Sequence, residues 1–394
     1  VVAPRSCAEV GCVGEGVETS TGAFQLAIED LLLSPGLFGI ELVRSYRSDD
    51  ERLGWFGRGW STVYETTLTQ DGNNLVIDAP AGLAPLWAPE APAGWDIVGS
   101  LGAVREGDGY SLTWPTGEQW RFGAEGSLEA LESPYGAKVT VKKTGDTLVL
   151  LSSQGVMLTA QFAEGRVASI EANDGRRVEY GYAEALLVDV DAPGVDLAYR
   201  YDVAGRLTES SAASGTTAVV YTDGLVTQHR TAIGQRFVLR YDGSTTTVSS
   251  NGPDATFEHD PVGRLTRVSV GGNDTMKQDF DADGRVVLRT EYAVPGGDVV
   301  TSVERTYDGS RLTSETIDGA TSEYQYDERG RVTEIVGTSN EGIESAIRNG
   351  IDRAGQSLRH LDWFEVTQVR GYIRNGDVDH FQVTVKVGSR LEDV

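Results

Sequence analysis

The chain alternates apolar and polar residues over short runs along most of its length, a pattern typical of half-buried β-strands. Glycine-rich turns separate these runs, and 48 glycines with a 39% hydrophobic fraction suit a protein rich in strands and turns. One segment, residues 339–358, departs from the alternation. Its apolar residues recur at three- and four-residue intervals: Ile343, Ala346, Ile347, Ile351 and Ala354. This spacing predicts an amphipathic helix in a mainly β protein.

The region around this helix predicts a small α+β unit. Residues 333–336 read as a strand, and Thr338 with Glu341 has the spacing of a capping box at the start of the helix. After the helix, a long strand is expected from Trp363 to about residue 374. The order strand, helix, strand, strand places one helix on an antiparallel sheet, and so small a unit is expected to oligomerise.

The last two strands are expected to form a hairpin. Asn375-Gly376 is a preferred pair for a two-residue turn, because both positions need positive φ. The return strand places His380, Gln382, Thr384 and Lys386 on one face and four apolar residues on the other. If the register follows this turn, Gln382 lies opposite Val369.

Four stretches of this unit resemble the dodecin family: "EIVGTS", "GIDRAGQSLRHLDWFEV", "RGYIRNGDVDHFQVTVKVG" and "RLED". The resemblance covers residues 332–394. It implies a spherical homododecamer that binds a flavin (FMN, FAD or riboflavin) between subunits, with the isoalloxazine ring stacked on a tryptophan. The family's stacking tryptophan corresponds to Trp363, its flavin-bonding glutamine to Gln382, and a common bacterial arginine to Arg370. Archaeal members carry a carboxylate where this chain has Gln368.

The predicted register bears on how these residues could share a ligand. Six strand residues separate Trp363 from the position opposite Gln382, and six residues span roughly 20 Å. One flavin that contacts both types of residue would therefore draw on two chains. The alternatives are a core or interface role for Trp363 and solvated strand positions for Gln382 and Arg370.

A repeat precedes this unit. An aromatic residue followed by aspartate, then glycine-arginine and an aliphatic residue, returns about every twenty residues, the length of one β-hairpin with its turn. The clearest copies are Tyr201-Asp202, His259-Asp260, Phe280-Asp281, Tyr307-Asp308 and Tyr326-Asp327, with weaker copies at Tyr221 and Tyr241. The repeat resembles the YD repeat of Rhs and teneurin-like proteins, which implies a β-strip. The array is short, so a partial shell is expected.

The opening segment resembles the N-terminal segment of Rhs-type proteins. The resemblance rests on one arginine, one tyrosine and an aromatic-glycine cluster: Arg44, Tyr46, Gly54, Phe56, Gly57, Gly59 and Trp60. Three domains are therefore expected: an Rhs-type β-rich module at 1–150, a YD-repeat array at 151–331 and a dodecin domain at 332–394.

Charge and composition exclude several classes of function. The formal net charge of −25 argues against nucleic acid as a partner, because phosphate binding needs a basic patch. No apolar run approaches the length of a membrane span, and the sequence as given has no signal-peptide pattern. Cys7 and Cys12 could close a small disulfide loop, which would slightly favour an extracytoplasmic location; two free thiols are the alternative.

Catalytic and metal-binding patterns are not found in the sequence. The four histidines show no metal-ligand spacing. Asp279, Asp281 and Asp283 imitate the start of a calcium loop, but position 290 is Thr290 and repeat turns explain the run better. We therefore expect no catalytic and no metal-binding residues.

Two main functional hypotheses follow, beside a third in which the chain is the relic of a polymorphic toxin whose effector was replaced. The first is a non-enzymatic, dodecameric flavin-storage or flavin-sequestering protein that displays a YD-repeat module. In the second, the C-terminal unit serves only as an oligomerisation hub, and the YD-repeat module binds a surface glycan or a protein through many copies.

Overall fold

The computed structural model describes residues 11–33, 39–71, 74–78, 102–113, 118–133, 136–309, 311–326, 332–357, 361–374 and 377–389. Strands dominate these residues, with one α-helix and one short 3₁₀-helix at Val63–Glu65. The expectation of a mainly β chain with a small α+β unit near its C-terminus is confirmed.

The N-terminal part is built from short strands in four small sheets, which pair β1 with β2, β4 with β3 and β7, β5 with β6, and β8 with β9. Their bounds are β1 (Cys12–Val13), β2 (Val17–Glu18), β3 (Gln25–Leu33), β4 (Ile40–Arg47), β5 (Leu53–Gly54), β6 (Gly57–Arg58), β7 (Trp60–Ser61), β8 (Thr67–Asp71) and β9 (Asn74–Asp78).

The following 26 strands of the described residues form a single sheet in which neighbouring strands are antiparallel. We call this sheet the strip. Its first half comprises β10 (Gly102–Glu106), β11 (Gly109–Thr113), β12 (Gln119–Phe122), β13 (Leu128–Glu132), β14 (Lys138–Thr144), β15 (Thr147–Ser152), β16 (Met157–Ala163), β17 (Arg166–Ala172), β18 (Arg177–Ala183), β19 (Leu186–Ala192), β20 (Val195–Tyr201), β21 (Leu207–Ala212) and β22 (Gly215–Thr222). The second half comprises β23 (Leu225–Arg230), β24 (Arg236–Asp242), β25 (Thr245–Ser249), β26 (Ala255–His259), β27 (Leu265–Val270), β28 (Asn273–Phe280), β29 (Val286–Tyr292), β30 (Val299–Asp308), β31 (Arg311–Ile317), β32 (Ala320–Tyr326), β33 (Val332–Ser339), β34 (Leu361–Arg374) and β35 (Asp377–Ser389). Between β33 and β34 lies helix α1 (Ile343–Ser357).

The repeated aspartate closes a hairpin turn of the strip. Asp202 Oδ1 accepts hydrogen bonds from the backbone N–H groups of Ala204 and Arg206, each at 2.9 Å. Asp202 Oδ2 accepts a third bond from the Arg206 side chain. Gly205 takes a φ of +77° in this turn, a conformation that favours glycine. Asp281 makes the same set of contacts, as expected for an aspartate of a repeat turn.

The repeated tyrosine connects one hairpin to the previous one. Tyr201 donates its hydroxyl hydrogen to the backbone oxygen of Leu187 at 2.7 Å, and Tyr221 donates to that of Leu207 at 2.9 Å. The Arg206 guanidinium lies 4.4 Å from the centre of the Tyr221 ring. These repeats are thus tied to their neighbours by a tyrosine hydroxyl, and at Tyr221 also by a cation–π contact.

The N-terminal strands pack on one face of the strip. The Arg44 side chain is fully buried and pairs with Asp30, with Nε 2.5 Å from Oδ2. Aromatic rings from both layers surround its guanidinium: Phe56, Trp60, Tyr180 and Tyr199. The residues of the N-terminal aromatic-glycine pattern therefore form the contact between the small sheets and the strip.

Candidate functional site

The C-terminal unit consists of β33, α1, β34 and β35, with β35 lying between β33 and β34. The helix covers one face of these strands through a small core of Ile335, Ala346, Val383 and Val385. Helix and sheet approach closely at Gly337, where an added Cβ would lie 2.2 Å from the backbone oxygen of Ala346. The predicted order of strand, helix, strand and strand is confirmed.

The sheet of this unit is continuous with the strip. Strand β32 pairs with β33 along the edge opposite β35, with Tyr324 opposite Ile335. Tyr324 is buried and belongs to the same core as Ile335 and Ala346. The last repeat therefore extends both the sheet and the core of the C-terminal unit.

The predicted capping box at Thr338 is wrong. Thr338 lies in β33, and its hydroxyl oxygen bonds to Thr321 of β32: it accepts from the backbone N–H and donates to the backbone oxygen, each at 2.7 Å. The helix begins later, at Ile343. The side chain that would cap the helix is used to join two strands.

The predicted register of the final hairpin is wrong by one residue. Gln382 lies opposite Arg370, not Val369. The ladder shifts between Tyr372 and Ile373, so one extra residue enters β35 near the turn, a β-bulge. Asn375 and Gly376, on which the prediction rested, lie outside the described residues.

The bulge brings Arg370 and Gln382 together. Directly opposed residues of an antiparallel pair point to the same face of the sheet, and Gln382 alternates with the buried Val383 that packs under the helix. Arg370 and Gln382 therefore occupy the face without the helix, where Arg370 is exposed. No ion pair joins Arg370 to another side chain in the described part of the chain.

Trp363 lies at the far end of the same hairpin. Its backbone is opposite Gly388, six residues along β35 from Gln382, a separation of roughly 20 Å. One chain therefore does not bring the backbone positions of Trp363 and Gln382 together. The side chain of Trp363 lies outside what the structure describes.

Two further side chains of this face were missed from the sequence. The rings of Tyr372 and His380 stack with centroids 4.5 Å apart and planes 16° apart. The two residues are directly opposed, two positions from Arg370 and Gln382. The alternation of the strand already placed His380 on the same face as Gln382. The sequence did not place Tyr372 opposite His380, because that pairing depends on the bulge.

Apolar residues are exposed along β34. Phe364, Val366 and Val369 are 48%, 37% and 46% exposed in the single chain. Strand β34 forms the outer edge of the sheet, since its described residues pair only with β35 in the ladder registers. An exposed apolar edge strand is a surface that another chain can cover.

Other features considered from the sequence are metal-ligand clusters, membrane spans, His259 and the two cysteines. No cluster of metal-ligating side chains occurs in the described ranges, and none of their helices is long and apolar enough to span a membrane. His259 contacts Thr19 through Nε2 and the backbone oxygen of Ser244 through Nδ1. Cys12 is disulfide-bonded, and Cys7 lies outside the described residues.

Two family models match the chain. Residues 330–392 match Dodecin, and residues 14–83 match Domain of unknown function (DUF6531). The second match contains Arg44, Phe56 and Trp60, which join the N-terminal sheets to the strip.

Of three similar proteins, two are dodecins and the third is a longer toxin. Dodecin of Thermus thermophilus is 53% identical over 60 residues, covering 15% of this chain and 87% of that protein. A solved structure of dodecin from Streptomyces davaonensis is 62% identical over 16% of this chain and 93% of its own, with a TM-score of 0.15. Double-stranded DNA deaminase toxin A of Burkholderia cenocepacia is 28% identical over 301 residues, 70% of this chain.

The chain covers only 20% of the length of the Burkholderia protein, so that likeness concerns a limited part of a longer molecule. The C-terminal likeness covers nearly all of the Thermus protein. Through residues 330–392, a range that contains β33, α1, β34 and β35, this chain belongs to the dodecin family.

Proposed function

We propose that this chain assembles into a homododecamer that binds a flavin, with its N-terminal modules displayed around the assembly. The observation that carries this proposal is the dodecin unit itself, with Trp363, Gln382 and Arg370 at the positions expected to bind the ligand. Arg370 and Gln382 lie directly opposite each other on the face without the helix. Their proximity supports a shared role.

Each of the three residues has a distinct role in this proposal. Trp363 stacks on the isoalloxazine ring, because a flat aromatic ligand gains most from a large aromatic surface. Gln382 exchanges hydrogen bonds with the polar edge of that ring, and Arg370 attracts an anionic substituent. Since Trp363 is roughly 20 Å from Gln382 along the sheet, each flavin draws these residues from two subunits. The ligand is FMN, FAD or riboflavin.

The assembly explains the exposed apolar residues of β34. Phe364, Val366 and Val369 are each more than a third exposed in the single chain. A second copy covers them in the assembly, which removes apolar surface from water. No catalytic group is required, because stacking and exclusion of water suffice for storage.

The N-terminal parts are assigned as an Rhs-type module at 1–150 and a YD-repeat array at 151–331, followed by the dodecin domain at 332–394. The repeated turn at Asp202 and the tyrosine contacts support the repeat assignment. A second candidate function makes the dodecin unit a hub alone, with the array binding a surface glycan or a protein. The shared core around Tyr324 favours this second function, because it attaches the array rigidly to the dodecin unit, and a rigidly attached module is well suited to display.

Size-exclusion chromatography with light scattering and flavin absorbance tests the proposal. We expect a particle near twelve times 42.3 kDa that takes up flavin, and a Trp363→Ala variant of the same size that does not. A large particle that stays colourless with FMN, FAD and riboflavin would leave only the hub. A monomer would contradict both functions.

A further inference from the structure

The face of the dodecin unit without the helix carries a 2 × 2 group of side chains. Arg370 is opposite Gln382, and Tyr372 is opposite His380. Opposed residues lie roughly 5 Å apart, and residues two positions along a strand lie roughly 7 Å apart. The four side chains therefore form one patch, with the two rings on the side nearer the turn.

The ring pair has a defined orientation. His380 Nδ1 donates to Asp379 Oδ2 at 2.9 Å, which holds the imidazole. The tyrosine ring lies nearly parallel to it, at 16°. Tyr372 remains 48% exposed in the single chain, so one face of its ring is available to a further planar group.

We infer that Tyr372 and His380 form a platform for the adenine ring of FAD, with Arg370 beside its phosphates. This inference rests on the proposed flavin-binding function and adds ligand selection to it. A purine ring on an aromatic side chain is stabilised by stacking. Arg370 and Gln382 form one row of the patch, and the platform forms the next row towards the turn. A flavin ring bound at Gln382 would thus have Arg370 beside it for its phosphates and the platform one row further on for its adenine.

The cation of the patch, Arg370, supports a phosphate-bearing ligand, whereas the Asp379 carboxylate is bonded to His380 in the platform row. The chain has a net charge of −25, yet Arg370 is exposed on this face, and within the described ranges no carboxylate pairs with it. A guanidinium binds phosphate through two parallel hydrogen bonds. Riboflavin has neither phosphate nor adenine, and FMN lacks adenine, so the three flavins report separately on the two parts of the patch.

Fluorescence titration of the assembled full-length chain tests this inference with FAD, FMN and riboflavin. We expect Tyr372→Thr to weaken FAD binding about tenfold, in keeping with the ~1–3 kcal/mol attributed to stacking of one base. FMN and riboflavin binding should change by less than about twofold, because neither ligand reaches the platform. Tyr372→Phe, which keeps the ring, is the matched control and should bind FAD as the unaltered chain does.

The outcomes separate this inference from the proposed function. Equal losses for FAD and FMN in Tyr372→Thr, or no loss for FAD, would overturn the platform and leave flavin binding intact. Dissociation of the assembly by Tyr372→Thr would make Tyr372 a subunit contact and also overturn it. A chain that binds none of the three flavins would overturn the proposed function and the platform together. ADP distinguishes a free adenine nucleotide from the dinucleotide: the inference requires that ADP compete with FAD and not with riboflavin.

Discussion

Glu65 is a carboxylate held in the contact between the N-terminal sheets and the strip. Burial raises the pKa of Glu65 from 4.5 to about 7, even though the backbone N–H groups of Trp55 and Thr62 donate to it. At pH values between 4.5 and about 7, the folded chain therefore keeps a proton that the unfolded chain has released. Stability contributed by this group is complete below pH 4.5 and is lost as pH rises towards 7.

Replacement of Glu65 by glutamine should remove this pH dependence. We expect the free energy of unfolding of the natural chain, relative to Glu65→Gln, to fall between pH 4.5 and 7, by at most about 1.4 kcal/mol per pH unit. Urea unfolding at several pH values measures the difference. Glu51→Gln, at a side chain that is 88% exposed, is the control. A difference that stays constant over the range would contradict the assignment.

At the scale of single residues, a family resemblance locates residues better than it locates their neighbours. Arg370 and Gln382 could be selected from the sequence, but their direct opposition could not, because it depends on a bulge near residues outside the described chain. Tyr372 gave no signal of its own. Arg44 was part of a recognised pattern, but its burial among four rings needs a fold in which distant strands meet.

The hairpin turn of the repeat is the element whose energetics can be tested most directly. Asp202 accepts two backbone hydrogen bonds and one from Arg206. Partial burial opposes ionisation of Asp202, but these bonds and the nearby guanidinium outweigh it and lower its pKa. Asp202→Ala removes a charged acceptor and should cost about 2 kcal/mol.

Asp202→Asn should cost less than Asp202→Ala, because an amide oxygen still accepts from both backbone N–H groups. Denaturant unfolding of the two variants measures the difference, and Asp196→Ala, at an exposed position of β20, is the control. Equal losses for alanine and asparagine would show that the backbone bonds do not stabilise the turn.

Elements were predicted well where periodicity was long and poorly where a local cue competed with a tertiary contact. Five apolar residues placed the helix between residues 339 and 358, and α1 occupies Ile343–Ser357. The capping box failed because Thr338 is already bonded to Thr321 across the sheet. The sequence pattern of a cap does not report whether its hydroxyl has another partner.

For the molecule as a whole, Tyr324 is the residue that connects the repeats to the dodecin unit. Its ring lies in the core with Ile335, Ala346 and Val385. Tyr324→Ala would leave a cavity there, with an expected cost of about 3–5 kcal/mol. Hydrogen exchange should then accelerate in α1, whereas Tyr221→Ala, within the strip, should leave α1 protected. Unchanged exchange in α1 would mean that the two parts are stable independently.

The continuity of the sheet could not be predicted from the sequence. Repeats and dodecin unit were each recognisable, so a boundary near residue 332 was the natural expectation. Nothing in either pattern indicates that β32 pairs with β33 or that Tyr324 serves the core beneath α1. Edge-to-edge pairing depends on which strand edge is left open, and this is decided only when both units are folded.

This pairing has a consequence for how the proposed assembly would meet a target. A flexible linker lets each displayed module sample many positions, so the effective concentration of a second binding event varies slowly with the spacing of the target sites. Here the last repeat is hydrogen-bonded to the dodecin unit, so in the proposed assembly the modules would project as rigid spokes at fixed angles. Such an assembly would bind targets whose sites match the spacing of the spokes and gain little avidity from targets whose sites do not.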